Sequence, residues 1–159
     1  VQADVYVLAK GLASGYPISA VLFREELGSW PPGAHGTTFG GQAVAAAAAH
    51  ATLDLLEGGL QENAARLGEF LLAELRALKR RFPFLGDVRG RGLMIGLDFG
   101  DPDHPQPDLR DKAVRLAFEK GLLLLPAGPS ALRIAPPLVL TQEEAALGLE
   151  ILEEVFRAL

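Results

Sequence analysis

The feature that most constrains the fold of this chain is a long amphipathic helix, which the sequence predicts over residues 60–81. Leu67, Leu71, Leu75 and Leu78 recur with the helical period of about 3.6 residues, while charged residues occupy the other face. A helix of this kind is stable in water only when its leucine face packs against another apolar surface. The rest of the chain must therefore provide such a surface.

The other segments alternate between strands and helices. The patterns predict strands over residues 4–9, 18–23, 88–100, 122–128 and 132–140, and helices over residues 42–59, 108–121 and 142–159. Thr141 and Glu144 have the spacing of a capping box at the start of the last helix. Residues 24–41 have no period and many Gly and Pro residues, which predicts an irregular surface loop. The order of elements is that of an α/β protein, and Gly58 and Gly59 mark the expected domain boundary.

Composition excludes several classes of function. The net charge is −5 and the largest basic cluster is residues 79–81, so a nucleic acid is not the expected partner. The chain has no cysteine and three scattered histidines, which predicts neither disulfides nor a metal site. No apolar run has the roughly 18 residues of a membrane span, and no signal peptide opens the chain. We therefore expect a cytoplasmic protein that does not enter a membrane.

The stretch "VLAKGLASGYPISAV" (7–21) places Lys10 where an apolar strand ends. We expect this strand to be buried, and ligands of open α/β folds bind at the carboxyl ends of such strands. A lysine amine that is partly desolvated attacks a carbonyl to form a Schiff base. The alternative is an ordinary lysine whose amine extends into solvent.

Two further segments carry candidate anion-binding groups. In "GAHGTTFGGQ" (33–42), glycines and threonines precede a helix, so backbone N–H groups and hydroxyls are available to a phosphate. The alternative is that Thr37 or Thr38 only caps the helix. In "ALRIAPPL", Arg133 is placed to hold a carboxylate with its guanidinium, unless it is an edge-strand residue facing water. Arg89 and Arg91 in "VRGRG" are most simply a solvated strand face.

Four motifs in one order resemble the C-terminal part of the class III aminotransferases, which belong to the fold type I pyridoxal-phosphate superfamily. They are "LAKGLASGYPISAV" (8–21), "HGTTFGGQ" (35–42), "VRGRGLMIGLDF" (88–99) and "LRIAPPL" (132–138). The resemblance extends over the whole chain, and the patterns are most similar to acetylornithine, ornithine and 4-aminobutyrate aminotransferases. It implies that residues 1–58 are the end of the cofactor-binding large domain and that residues 59–159 are the small C-terminal α+β domain.

The resemblance also implies roles for three residues. Lys10 matches the lysine that forms a Schiff base with pyridoxal phosphate and then transfers a proton from the substrate. Thr38 matches the threonine that, in a homodimer, reaches the phosphate of the partner subunit's cofactor. Arg133 matches the arginine that binds a substrate carboxylate. The implied reaction moves an amino group from an amino acid, such as acetylornithine, ornithine or 4-aminobutyrate, to a 2-oxo acid.

The sequence departs from the family pattern in two respects. Gln42 stands where asparagine is usual, and the family's segments before the lysine strand have no counterpart here; Asp4 does not match the aspartate that pairs with the pyridine nitrogen. We therefore expect little activity from this polypeptide alone, and association of its first two strands with a missing N-terminal half or a second copy. Two alternatives are a non-catalytic remnant that acts as an oligomerisation or interaction module, and an aminomutase or decarboxylase of the same superfamily.

Overall fold

The structure is a computed structural model that describes residues 2–159. It divides into two compact units, Val1–Gly59 and Leu60–Leu159. Between the last helix of the first unit and the first helix of the second lies a wide helical turn, Leu56–Leu60, in which Gly59 has a φ of 125°. A φ of this size is open to glycine and strained for other residues, which explains a glycine at this position.

The first unit contains two strands and one long helix. Strands β1 (Val5–Leu8) and β2 (Ala20–Phe23) pair antiparallel, and a 3₁₀ turn, Lys10–Ala13, follows β1. A second 3₁₀ turn, Glu25–Leu27, opens the irregular loop that leads to helix α1 (Ala43–Leu55). The strands, the loop and the helix lie where the sequence predicts them.

Burial in the first unit differs from the prediction. Every residue of β1 is exposed, and Val7 keeps 71% of its surface accessible. Among residues 2–59, the buried apolar residues are three alanines, Ala13, Ala45 and Ala49. The expectation of a buried first strand is therefore wrong for this chain, because within residues 2–159 β1 and β2 have only each other as hydrogen-bonded neighbours.

The second unit has a four-stranded antiparallel sheet and three helices. In chain order they are α2 (Gln61–Arg81), β3 (Leu85–Arg91), β4 (Met94–Phe99), α3 (Pro107–Glu119), β5 (Leu125–Ala127), β6 (Ala131–Ile134) and α4 (Gln142–Arg157). The strand order is β3-β4-β6-β5, so β4 and β6 are the inner strands. All pairs of neighbouring strands run antiparallel.

One face of this sheet forms the core with the helices. Leu97 and Leu132 are opposite each other on β4 and β6, and neither is exposed to solvent. The leucine face of α2 packs into the same core, as do Val155 and Phe156 of α4. The other face of the sheet, which we call the open face, carries the polar side chains that alternate with the core residues. These are Asp87, Arg89, Arg91, Asp98 and Arg133, all exposed or half-buried.

The single strand predicted over residues 88–100 is a hairpin. Strands β3 and β4 are joined by a two-residue turn, Gly92 and Leu93, in which Gly92 has a φ of 53°. Glycine with positive φ at the first position is typical of a type II′ hairpin turn. Residues 2–159 therefore contain six strands, one more than predicted.

The prediction for the last helix is confirmed in detail. The hydroxyl of Thr141 accepts a hydrogen bond from the Glu144 N–H (3.2 Å), and the Glu144 carboxylate accepts one from the Thr141 N–H (2.9 Å). These are the two bonds of a capping box. No helix in the described residues is both long enough and apolar enough to span a membrane.

Candidate functional site

Lys10 lies in a conformation that is uncommon for a residue with a side chain. Ala9 is extended, and at Lys10 the backbone turns into the left-handed region with a φ of 48°. This conformation costs a residue other than glycine about 1–2 kcal/mol. The turn places the lysine directly beyond the carboxyl end of β1, where the motif predicts it. Lys10 is exposed in this chain, so the expectation of a desolvated amine is wrong here, as it is for the strand that carries it.

The turn that carries Lys10 is fixed to helix α1. Ala13, at the end of the turn, is fully buried. The next residue, Ser14, also has a φ of 48°, and its hydroxyl oxygen lies 2.9 Å from that of Thr52 on α1. Small side chains on α1, Ala45 and Ala49, are buried in the same unit and allow close packing. The backbone around Lys10 is thus held by packing and by a side-chain hydrogen bond.

Thr38 lies at the tip of a tight turn before α1. The Gly40 N–H donates to the carbonyl oxygen of Thr37 (3.3 Å), which leaves Thr38 and Phe39 exposed between them. The cap of the helix is Gln42, whose side-chain oxygen accepts from the Ala45 N–H (3.2 Å). The alternative in which a threonine caps the helix is therefore wrong. Among the described residues, the Thr38 hydroxyl has no hydrogen-bond partner.

Arg133 lies in the second unit, on the open face. Its strand, β6, is an inner strand, and Arg133 is opposite Gly96 on β4 and Leu125 on β5. The alternative of an edge-strand arginine is therefore wrong, although the residue is exposed. Within the part of the chain that the structure describes, its guanidinium forms no ion pair. A free guanidinium on a rigid inner strand is suited to bind a carboxylate in a fixed orientation.

An ion-pair cluster that the sequence analysis did not assign lies on the same face. Arg89 donates through Nη1 to Asp87 (3.0 Å) and to Asp98, and through Nη2 to Asp98 (3.1 Å). The bonds to Asp98 and Asp87 raise the pKa of the Arg89 guanidinium above its ordinary value. The bond donated by Arg89 lowers the pKa of the Asp87 carboxyl. The three side chains are thus joined by charge-assisted hydrogen bonds.

Asp4 is engaged elsewhere. Its carboxylate lies 2.8 Å from Nε of Arg24, between β1 and the residue that follows β2. The candidate residues are thus divided between the units, with Lys10 and Thr38 in the first and Arg133 in the second.

Comparison with known proteins identifies the family. The model of the family described as "Aminotransferase class-III" matches residues 1–156. In an alignment of 161 positions, the chain is 43% identical to the acetylornithine aminotransferase of Gloeobacter violaceus, and the match covers 100% of this chain and 39% of that protein. In another alignment of 161 positions, it is 40% identical to the alanine/serine racemase of Pyrococcus horikoshii, and the match covers 99% of this chain and 34% of that protein.

A solved structure agrees with these relatives. The fold matches an amine transaminase from an uncultivated Pseudomonas species, described as PLP-bound, with a TM-score of 0.85, 37% identity and coverage of 98% of this chain and 38% of that one. The chain thus spans less than half the length of the proteins it matches. The resemblance inferred from the four motifs and the predicted fold class are confirmed. The chain belongs to the class III aminotransferases, a pyridoxal-phosphate-dependent family.

Proposed function

We propose that this chain carries part of the active site of an enzyme that transfers an amino group between an amino acid and a 2-oxo acid. The observation that carries the proposal is the left-handed backbone of Lys10, held against α1 at the end of β1. Strained backbone of this kind persists only where the surroundings impose it, and it clusters at active sites. The family match and the acetylornithine aminotransferase relatives support the reaction class.

Lys10 is the proposed catalytic residue. The chain has four lysines, and three of them have hydrogen-bond partners: Lys79 at the Gly86 carbonyl, Lys112 at the chain's last carbonyls and Lys120 at Glu154. In residues 2–159, Nζ of Lys10 has no partner, so the amine is free to bond to an aldehyde. With the cofactor bound, Nζ would also be the group available to accept the proton from the substrate Cα.

Thr38 and Arg133 are the proposed binding residues. Thr38, with its free hydroxyl, lies four residues before Gln42, the N-cap at the positive end of α1, a combination that suits a phosphate. In keeping with the family resemblance, we assign Thr38 to the cofactor of a partner subunit in a homodimer. Arg133 presents a planar, bidentate donor to the carboxylate of the amino acid or oxo acid.

The donor groups of the chain fit pyridoxal phosphate. They comprise an amine for its aldehyde, a hydroxyl for its phosphate and a guanidinium for the substrate that reacts with it. When bound, this cofactor supplies an electron sink for the pair left at the substrate Cα. Arg133 would contribute orientation, because a C–H bond breaks readily only when it is held in the right direction.

The preferred amino donors are ω-amino acids such as acetylornithine, ornithine or 4-aminobutyrate, since acetylornithine aminotransferases are among the curated relatives. The 159 residues alone are expected to transfer little or no amino group, because they span about two fifths of those relatives. The alternative for the isolated chain is an oligomerisation or interaction module without catalysis, which the exposed apolar strands favour.

The test of this proposal uses the four lysines as competitors. The chain is incubated with pyridoxal phosphate, reduced with borohydride, and digested so that mass spectrometry measures the label on each lysine. We expect Lys10 to be labelled at the lowest cofactor concentration. Lys10→Ala should lose that label, while the control Lys120→Ala should keep it. Equal labelling of all four lysines contradicts the proposal and favours the interaction module.

The role of Thr38 is tested by the same labelling with a cofactor that lacks the phosphate. In the wild-type chain, pyridoxal phosphate should label Lys10 more efficiently than pyridoxal does. In Thr38→Ala this preference should shrink, whereas Thr37→Ala serves as the neighbouring control. An unchanged preference in Thr38→Ala contradicts the assignment of this residue to the phosphate.

Racemisation is a second candidate activity, favoured by the 40% identity to an alanine/serine racemase. Both reactions need a base at the substrate Cα, which Lys10 supplies in either case. They differ in the need for an acceptor, because amino transfer consumes a 2-oxo acid and racemisation does not. Exchange of the Cα proton and loss of optical activity without any oxo acid would favour the racemase.

A further inference from the structure

The open face of the second unit places two arginines in one row across three strands. Arg89 on β3 is opposite Gly96 on β4, and Gly96 is opposite Arg133 on β6. Residues in register on neighbouring antiparallel strands point to the same side of the sheet. With about 4.8 Å between strands, the two arginine backbones are about 10 Å apart. A ligand of a few carbon atoms could bridge their guanidinium groups.

The side chain of Arg89 lies over Gly96, at the centre of this row. A Cβ atom on residue 96 would stand 3.9 Å from Cγ, Nε and Cζ of Arg89, which is ordinary contact along the length of that side chain. Arg89 therefore extends from β3 toward the strand that carries Arg133. A cleft beside it is lined by Asp98, Ala127, Gly128 and Ser130.

The two arginines differ in their partners. Arg89 uses three of its five N–H donors on Asp87 and Asp98, and one of those carboxylates binds it at both oxygens. The cluster of one arginine and two aspartates carries a net charge of about −1 at neutral pH. Arg133 has no acidic partner in the described residues. Arg91, the remaining arginine of this face, lies at the hairpin end and also forms no ion pair there.

We propose that Asp98, together with Asp87, is a specificity-determining residue that prevents Arg89 from binding a second carboxylate beside Arg133. This inference rests on the proposed role of Arg133 as the carboxylate-binding residue. The row of Arg89 and Arg133 then offers one carboxylate site, at Arg133, and a net negative cluster next to it. A second carboxylate of the same ligand is repelled by this cluster and has to be held outside this row.

The alternative to this proposal is that Asp98 serves only as a structural partner of Arg89. If it only stabilised the hairpin, its neutralisation would lower stability and leave ligand preference unchanged. If it withholds Arg89, its neutralisation leaves Asp87 as the only carboxylate on Arg89. The donors released on Arg89 then lie in one row with Arg133, and a dicarboxylate gains a second contact without further loss of translational freedom. The two roles therefore predict different ligand selectivity.

The test compares acetate with succinate as ligands of the 159-residue chain at constant ionic strength. NMR signals of the arginine Nε–Hε groups report which guanidinium binds, and Arg89→Lys and Arg133→Lys assign the two signals. In the wild type, Arg133 should respond to both ligands, Arg89 should not, and succinate should bind no more than about twofold tighter, for its two equivalent carboxylates. In Asp98→Asn, the Arg89 signal should also respond and the preference for succinate should rise to about tenfold.

Asp103→Asn, in the exposed turn after β4, is the control for a simple change of net charge. Asp87→Asn removes one of the three bonds to Arg89 and keeps the test available if Asp98→Asn does not fold; it should raise the succinate preference less. This inference is contradicted if the folded variant shows the same Arg89 response and the same preference for succinate as the wild type. A wild-type Arg133 signal that ignores both ligands contradicts the proposed role of Arg133, and the lysine labelling is independent of both results.

Discussion

The two units of this chain contain similar apolar sequences but use them differently. In Leu60–Leu159, alternate strand residues, the leucines of α2 and one face of α4 meet in a single core. In the first unit, as far as residues 2–59 describe it, the strands are equally apolar but exposed. Burial of apolar side chains there is confined to three alanines, in the Lys10 turn and on α1. The comparison teaches that the burial of an apolar strand depends on the layers that pack against it. The residue proposed for catalysis, Lys10, lies in the unit with the smaller core.

The largest effect should come from removing a phenylalanine from the core of the second unit. Phe99 is fully buried, and the centroid of its ring lies 5.5 Å from that of Phe84 and 6.0 Å from that of Phe156. Phe99→Ala should lower the free energy of unfolding by about 3–5 kcal/mol. Phe23→Ala, the matched change in the first unit, removes a half-exposed ring beside Trp30 and should cost about 1 kcal/mol. Urea unfolding followed by circular dichroism measures both, and equal losses would remove the contrast between the units.

A smaller effect is expected from a methyl group added to a helix. Alanine normally stabilises a helix relative to glycine by about 1 kcal/mol. At Gly68, however, the new Cβ would lie 2.3 Å from the carbonyl oxygen of Gly92 in the hairpin turn, so the hairpin must move. Gly68→Ala should therefore destabilise by about 1–3 kcal/mol.

The control for this change lies in the first unit. At Gly58 a Cβ would meet nothing within 4 Å. Gly58→Ala should be neutral or stabilise by about 0.5 kcal/mol, because it only restricts the unfolded chain. A loss of stability in Gly58→Ala as large as that in Gly68→Ala would show that the first unit is packed as tightly as the second.

Elements with a strong local cause could be predicted from the sequence. The leucines of α2 require one packed face whatever lies opposite, and the Thr141–Glu144 capping box fixes the start of α4 by itself. The order of elements followed from such patterns. The position of Lys10 at the end of a strand followed from the sequence too, whereas the roles of Lys10, Thr38 and Arg133 depended on the family resemblance.

Features that depend on contacts between distant residues could not be predicted. The exposure of β1 depends on which other strands flank it, and an apolar run does not carry that information. The ion-pair cluster was missed because the hairpin was missed. Once residues 88–100 are treated as one strand, Asp98 lies far along the chain from Arg89, whereas the turn at Gly92 brings the two side by side. The alternation of Asp87, Arg89 and Arg91 was the available signal.

The strained backbone of Lys10 gives a third prediction, a difference of about 1 kcal/mol in the free energy of unfolding between two variants. Lys10→Gly and Lys10→Ala both remove the amine, but only glycine relieves the left-handed backbone. The glycine variant should therefore be more stable than the alanine variant by about 1 kcal/mol, measured by urea unfolding and by hydrogen exchange of the β1 amides. Equal stabilities would mean that the turn imposes no cost, and would weaken the argument that function maintains it.

The smallest effect should separate the units by their response to acid. Hydrogen bonds donated by Arg81 and Lys120 hold the pKa values of Glu153 and Glu154, respectively, below the ordinary value of 4.5. A carboxyl with a lowered folded-state pKa contributes stability above its unfolded value, and that contribution is lost as the pH falls through the folded value. The free energy of unfolding of the second unit should therefore fall as the pH drops below 4.5.

Glu153→Gln should flatten this part of the curve, and added salt should do the same because these pairs are exposed. Urea unfolding at neutral pH and at about pH 3 measures the difference in the free energy of unfolding. If the free energy still falls with pH in Glu153→Gln and at high salt, other carboxyls must cause the fall. Asp87, whose pKa is lowered by Arg89, is the next residue to replace.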